Sequence, residues 1–208
     1  AKWTTRDRTL KRTSAGTQTD DSAHVNTDTF AADYGTRFTS WQVRVTLQRA
    51  PGAASPSVTK VGGVASLLPS MVPATSRPYD GAQTLKVPAY SQMTHKGQYP
   101  QYGGGGEAWC SPTSTAMVMG YYGRLPSKSN YAWVKTSYSD RWVDHVARMT
   151  YDYGYDGTGN WPFNTAFANT YVDDAFVTRL RSLREAERFI HVGIPLAALG
   201  LLSPVIAG

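Results

Sequence analysis

One cysteine, Cys110, occurs in the 208 residues, within Gly103-Gly104-Gly105-Gly106-Glu107-Ala108-Trp109-Cys110-Ser111-Pro112-Thr113-Ser114-Thr115-Ala116-Met117. It is the residue best placed for nucleophilic chemistry. A glycine run delivers the chain to Trp109 and Cys110, and helix signals follow at once. Ser111 is the expected cap, and Pro112 the first helical residue, where a missing N–H costs nothing. Small or apolar residues continue through Val118, and Gly123 is the expected stop. Cys110 then lies at the positive end of a helix, where free N–H groups and the dipole favour the thiolate, the form that attacks acyl carbons. Placement alone leaves a second reading open, a small buried packing residue, because no partner base is marked beside it.

His24, His95, His145 and His191 are far apart in sequence and show no HExxH spacing. A lone cysteine offers no pair to hold zinc. No metal and no other cofactor is expected, and an intrachain disulfide is excluded. Tyr151 to Phe163, dense in Tyr, Gly, Asp and Asn, is too rich in glycine for a helix and alternates too poorly for a strand. It reads as an ordered functional loop or as an aromatic loop packed over the core.

Composition narrows the function classes. With 41% apolar and 17% charged residues the chain is globular, and it is long enough to bury a core of its own. The +6 charge comes from 21 basic and 15 acidic residues. Its densest basic stretches, Arg6 to Arg12 and Arg179 to Arg188, lack interleaved stacking aromatics, so nucleic acid is not an expected partner. No apolar run approaches the roughly 20 residues of a transmembrane helix. The chain begins Ala1-Lys2-Trp3 without a signal-peptide core, which fits a processed secreted product or a trimmed chain. Oligomeric state is not predicted.

The supporting elements divide the chain into a β-rich accessory region, 1–80, and a second domain, 81–208. Residues 1–37 read as an irregular polar arm with regular structure hinted only at Asp28 to Ala32. Trp41, Val43, Val45 and Leu47 alternate with polar residues and predict a half-buried strand over 38–50. A second strand is expected within Val58 to Leu67, followed by a stiff connector with Pro69, Pro73 and Pro78. Gln83 to Gln92 begins with strand-like alternation, and Met93 to Gly106 reads as loop.

After the cysteine helix, Ser129 to Thr136 is a candidate helix. Arg141 to Met149 is a stronger one, with Trp142, Val143, Val146 and Met149 at helical spacing. Phe163 to Thr170 is expected as a helix and Ala175 to Leu180 as a strand. Ser182-Leu183-Arg184-Glu185 is a capping box that opens a helix ended by Gly193 and Pro195. Ile194 to Leu199 is expected as a core strand, and the apolar end, 200–208, suggests that the domain and its sheet continue further.

Gly106-Glu107-Ala108-Trp109-Cys110-Ser111-Pro112-Thr113-Ser114 and Gly157-Thr158-Gly159-Asn160-Trp161-Pro162-Phe163-Asn164-Thr165-Ala166 are long, specific stretches, and Trp41 to Leu47, Val87 to Gln92 and Leu183 to Phe189 are weaker ones. With these five stretches the chain resembles the C39-like cysteine peptidases of the secreted actinobacterial type. The resemblance implies an α+β, papain-like fold, with the cysteine opening a central helix in one lobe and an antiparallel sheet in the other. It also implies a secreted protein acting on a peptide or protein substrate.

Cys110 matches the nucleophile. Gln92 matches the oxyanion-hole glutamine, with Gln98 and Gln101 as nearby substitutes. Trp109, Asn160 and Trp161 are candidate substrate-binding residues. The family's catalytic histidine follows a strand and a Gly-His step beyond the stretch matched by Leu183 to Ile190, and no such step occurs here. None of the four histidines is assigned to that role. The expected activity is thiol-dependent hydrolysis of a peptide or related amide bond. The alternative is a non-catalytic or truncated papain-fold module that binds peptide or cell-wall polymer.

Overall fold

The computed structural model describes residues 11–67 and 77–198. In chain order these hold a small sheet, β1 (Gln18–Thr19), β2 (Ala23–Asn26) and β3 (Thr29–Ala32), then four helices. The helices are α1 (Cys110–Tyr121), α2 (Arg141–Thr150), α3 (Trp161–Ala168) and α4 (Leu183–His191). Short 3-10 turns at Gln92–His95 and Gly106–Ala108 precede α1. The content is α+β. Among the described residues no helix is long and apolar enough to cross a membrane.

The arm expected to be irregular folds into an antiparallel meander in the order β1-β2-β3, with Thr19 opposite His24 and Val25 opposite Phe30. Side-chain turn chemistry makes it possible. Asp20 Oδ1 accepts from the N–H groups of Ser22 and Ala23 at 2.8 and 2.9 Å, an Asx turn that reverses the chain between β1 and β2. His24 Nδ1 lies 2.6 Å from Asp33 Oδ1, which ties β2 to the residue after β3.

The strand expected over 38–50 does not form. Trp41 is 63% exposed, and Val43, Val45 and Leu47 are exposed with it. The segment at 58–67 forms no strand either, although the Trp41 ring lies against Gly63. Apart from the turn where Ala53 N–H donates to the Ala50 carbonyl, no hydrogen-bonded ladder joins these stretches among the described residues. Alternation supplies an apolar face; a strand also needs a partner for its N–H and C=O groups.

The core lies between α1, α2 and α3. Trp109, Ala116, Met119, Val143, Val146, Ala147, Phe167 and Ala168 form one buried cluster. Helix α1 starts two residues earlier than its sequence signals indicate: Trp109 is the cap, without a side-chain capping bond, and Cys110 is the first helical residue. The first full-turn bond runs from Thr113 N–H to the Trp109 carbonyl at 3.1 Å, so Pro112 still falls where no N–H is required. At the other end Gly123, with φ of 64°, donates to Gly120, and Arg124 donates to Met119, a Schellman closure.

The expected helix at 129–136 is a series of turns instead. Asn130 Oδ1 accepts from the Ser127 N–H at 2.9 Å, and the Arg141 guanidinium takes the carbonyls of Tyr131 and Val134 that a helix would have used. Helix α3 opens two residues earlier than expected because Asn160 caps it. In α4 Ser182 caps Glu185 N–H as the box requires, but Glu185 bonds the N–H of Arg181, one residue outside the box. Residues 77–198 show no strand, only an isolated bridge between Asp152 and Gly157. Residues 175–180 and 194–198 are irregular; the end at 200–208 lies outside the described residues.

The amino-terminal stretch meets the helical part of the chain through backbone and side chain alike. Tyr153 N–H donates to the Arg12 carbonyl at 2.9 Å, and Ser14 N–H donates to Asp152 Oδ1 at 2.9 Å. The buried Arg12 guanidinium reaches the Arg148 carbonyl. Further along, Lys60 pairs with Asp174, and Tyr79 N–H donates to Glu187 of α4.

Candidate active site

Cys110 is exposed and free, at the first position of α1. Its position is set by Trp109, whose ring is fully buried in the core and whose indole N–H donates to the Tyr102 carbonyl at 2.6 Å. Trp109 therefore anchors the start of the helix from inside, while the next side chain faces out. Placed there, Trp109 presents no surface to a substrate.

Gln92 reaches this approach directly. Its Nε2 donates to the Glu107 carbonyl at 2.7 Å, three residues before Cys110. A primary amide carries two N–H bonds on that nitrogen, so one is spent on Glu107 and the other is available. Two more contacts lock the Gln92–His95 turn onto the Gly106–Ala108 turn. Glu107 Oε2 accepts from Gly97 N–H at 3.0 Å, a bond that holds the carboxyl below its usual range. Gly106 is so close beneath the other turn that a Cβ there would lie 2.3 Å from the His95 carbonyl carbon. The nearby Gln98 is committed inward: its Nε2 donates to Thr94 at 3.1 Å and its Oε1 faces His95.

The loop between α2 and α3 forms the other flank. Thr158 Oγ1 donates to the Ala108 carbonyl at 3.3 Å, and Gly157 packs on Gly103. The Asn-Trp-Pro-Phe-Asn stretch acts mainly as scaffold. Asn160 is buried, its Oδ1 accepts the Phe163 N–H at 3.1 Å, and its Nδ2 donates to Asp152 at 2.8 Å. Asn164 donates to the Thr158 and Asn160 carbonyls and accepts from Thr115 of α1 at 3.0 Å. Of the three candidate substrate-binding residues only Trp161, 37% exposed, presents a face to solvent.

The histidines occupy separate environments. His24 belongs to the small sheet, and His191 stacks on Tyr79 with centroids 4.6 Å apart. His95 is buried against Asp144. His145 is buried on α2, where its Nδ1 accepts from the Trp133 indole N–H at 3.3 Å. Burial, with Arg148 adding to it, pushes the His145 imidazole down to about 4.

In the unfolded chain this group titrates near 6.5. Between about 6.5 and 4 the unfolded chain binds a proton that the native protein does not, so stability falls as pH drops through that window, by about 3 kcal/mol in total. Urea unfolding at pH 4.5 and pH 7 checks this. His145→Gln, which retains an acceptor for Trp133, is expected to flatten the difference.

Gln92 and Cys110 are thus brought to adjoining turns. Glu107, Gly106, Thr158, Asp152 and the His95–Asp144 pair complete the surroundings, and sequence reasoning gave none of them a role. Gly106, Glu107 and Thr158 do lie in the stretches that carry the resemblance; Asp152 and Asp144 had no such signal.

An exposed cysteine opening a helix, with a glutamine amide held at its approach, is an arrangement suited to thiol chemistry. Residues 84–203 match the Peptidase_C39 like family, and residues 1–66 match the Peptidase C39 N-terminal domain. The chain belongs to the Peptidase_C39 like family, a membership that suggests cysteine peptidase-type function. No curated protein and no solved structure matches it significantly.

Proposed function

We propose that the protein hydrolyses a peptide or related amide bond through an acyl-enzyme on Cys110, in a papain-like arrangement of the second domain. The observation that carries this reading is the Gln92 amide, fixed by Glu107 at the approach to an exposed cysteine on the first turn of α1. Sγ attacks the carbonyl carbon after giving its proton to a general base. The oxygen that becomes negative is held by the Cys110 N–H, which the helix ladder does not need, and by the second N–H of Gln92. The C–N bond then breaks, the leaving nitrogen takes the proton, and a thioester remains. Water attacks the thioester, releasing the carboxylate and restoring the thiol.

Trp161, exposed at the first position of α3, is the residue we assign to substrate contact. Family membership and the exposed thiol favour this reading over a non-catalytic binding module.

Peptide-library digestion followed by mass spectrometry of the products tests the proposal. Cys110→Ala is expected to abolish cleavage. Gln92→Ala removes one oxyanion donor and is expected to lower the rate about 100-fold. Cleavage that survives Cys110→Ala overturns the proposal.

A further inference from the structure

Asp144 and His95 form a fully buried acid–imidazole pair that the thiol chemistry leaves unused. His95 Nδ1 lies 3.1 Å from Asp144 Oδ2 and 3.3 Å from Gln98 Oε1. Both neighbours accept, so Nδ1 is the ring nitrogen that donates. Asp144 projects from α2 between Val143 and His145, on an element whose neighbouring valines are in the core. Among the described residues, Asp144 Oδ1 and His95 Nε2 have no hydrogen-bond partner. A buried pair with two unsatisfied atoms contributes less stability than apolar side chains of the same volume. Stability therefore does not account for its presence.

Its location does. His95 is the last residue of the 3-10 turn whose first residue is Gln92. The backbone of both residues rests on Gly106, and the Gln92 amide bonds Glu107. A continuous path of contacts thus runs from Asp144 on α2, through the His95 ring and the turn it closes, to the amide that bonds Glu107 just ahead of α1. A short 3-10 turn has poor hydrogen-bond geometry of its own and needs outside contacts to hold one position.

We propose that Asp144, acting through His95, is a positioning residue for the Gln92 amide. The proposal rests on the reading of Cys110 as nucleophile and Gln92 as oxyanion donor.

The test compares two reactions of the same thiol in the full chain. With p-nitrophenyl acetate, Sγ bonds to the acetyl carbon, the ester C–O bond breaks, nitrophenolate leaves with the electron pair and the thiol proton passes to buffer. That path develops an oxyanion. Alkylation by iodoacetamide displaces iodide at a saturated carbon and develops none. Asp144→Asn is expected to slow acetylation about 10-fold while the alkylation rate stays within about twofold, since a displaced donor affects only the first reaction. Asp144→Asn combined with Gln92→Ala is expected to be no slower than Gln92→Ala alone, because the effect is transmitted through that amide.

Unchanged acetylation in folded Asp144→Asn, or additive losses in the double variant, overturns the proposal. If circular dichroism shows Asp144→Asn unfolded, His95→Gln enters the same cycle with the same two outcomes. Wild-type acetylation no faster than that of Cys110→Ala overturns the reading of Cys110 itself, and this proposal with it.

Discussion

Gly106→Ala is expected to disable the site and to lower the melting temperature by about 2–12 °C, from overpacking that costs about 1–3 kcal/mol. The argument is steric. A Cβ at this position would stand 2.3 Å from the His95 carbonyl carbon, 2.4 Å from its oxygen and 2.5 Å from the Gln92 carbonyl oxygen. All three are backbone atoms of one short turn, so no rotamer change relieves the contact. The turn has to lift by about 1 Å, and the Gln92 amide moves with it; a shift of that size at a reacting centre costs up to about 100-fold in rate. Gly104→Ala is the control. Gly104 has φ of 92°, which strains alanine, but nothing lies within 4 Å of its Cβ position. It is therefore expected to lose stability without moving the Gln92 turn. Differential scanning calorimetry and p-nitrophenyl acetate acetylation read the two effects separately, and a Gly106→Ala protein matching wild type in both would refute the packing argument.

That contrast also changes the meaning of the glycine run. Read as sequence, Gly103 to Gly106 looks like a flexible delivery segment for the cysteine. In the fold it is a closely packed one, in which Gly106 lets one turn lie directly on another and Gly103 rests on Gly157. Local chemistry made the helices legible. Pro112 and Gly123 bracket α1, Asn160 and Pro162 open α3, and Ser182 opens α4. These signals act within one or two turns of the residue that carries them, so their reading needs no knowledge of the rest of the chain.

The strand expectations depended on more. Trp41, Val43, Val45 and Leu47 have the right period, but pairing is decided by a second segment that sequence spacing does not identify. The reverse error occurred in the meander, where strands of two to four residues are too short to show alternation and are held by Asp20 and Asp33. At the site, Cys110 was legible because helix-start chemistry is local. The partners of Gln92 and His95 were not, since they lie 15 and 49 positions away. The Asn-Trp-Pro-Phe-Asn stretch was distinctive for a reason its composition does not reveal: its two asparagines satisfy buried backbone groups at the junction of α1 and α3.

Asp152→Ala is expected to cost more than any surface change, roughly 4–6 kcal/mol, because one buried carboxylate serves several donors. Oδ1 accepts from the N–H groups of Ser14 at 2.9 Å, Gly154 at 2.9 Å and Tyr155 at 3.2 Å, and Oδ2 accepts from Asn160 at 2.8 Å. Burial pushes this carboxyl up, but the Ser14, Asn160 and Gly154 donors together outweigh it and hold the group below its usual range. The stability it contributes is therefore present above about 3.8 and is lost only as pH falls through the lower native value. The acid sensitivity between 6.5 and 4 belongs to His145 instead.

Asp152→Asn separates charge from geometry. Its oxygen still serves Ser14, Gly154 and Tyr155, but its NH2 then faces the NH2 of Asn160. Asn160 cannot turn over without surrendering the Phe163 N–H that its oxygen caps. One conflict remains whichever way the amide points, so Asn is expected to cost about 2 kcal/mol, well short of Ala. Urea unfolding at pH 7 measures both, and equal losses for Asn and Ala would count against the donor argument. Because Ser14 shares this carboxylate, limited proteolysis of Asp152→Ala is expected to cut the amino-terminal region near Ser14 sooner than in wild type. The same junction thus links the accessory region to the loop that flanks Cys110.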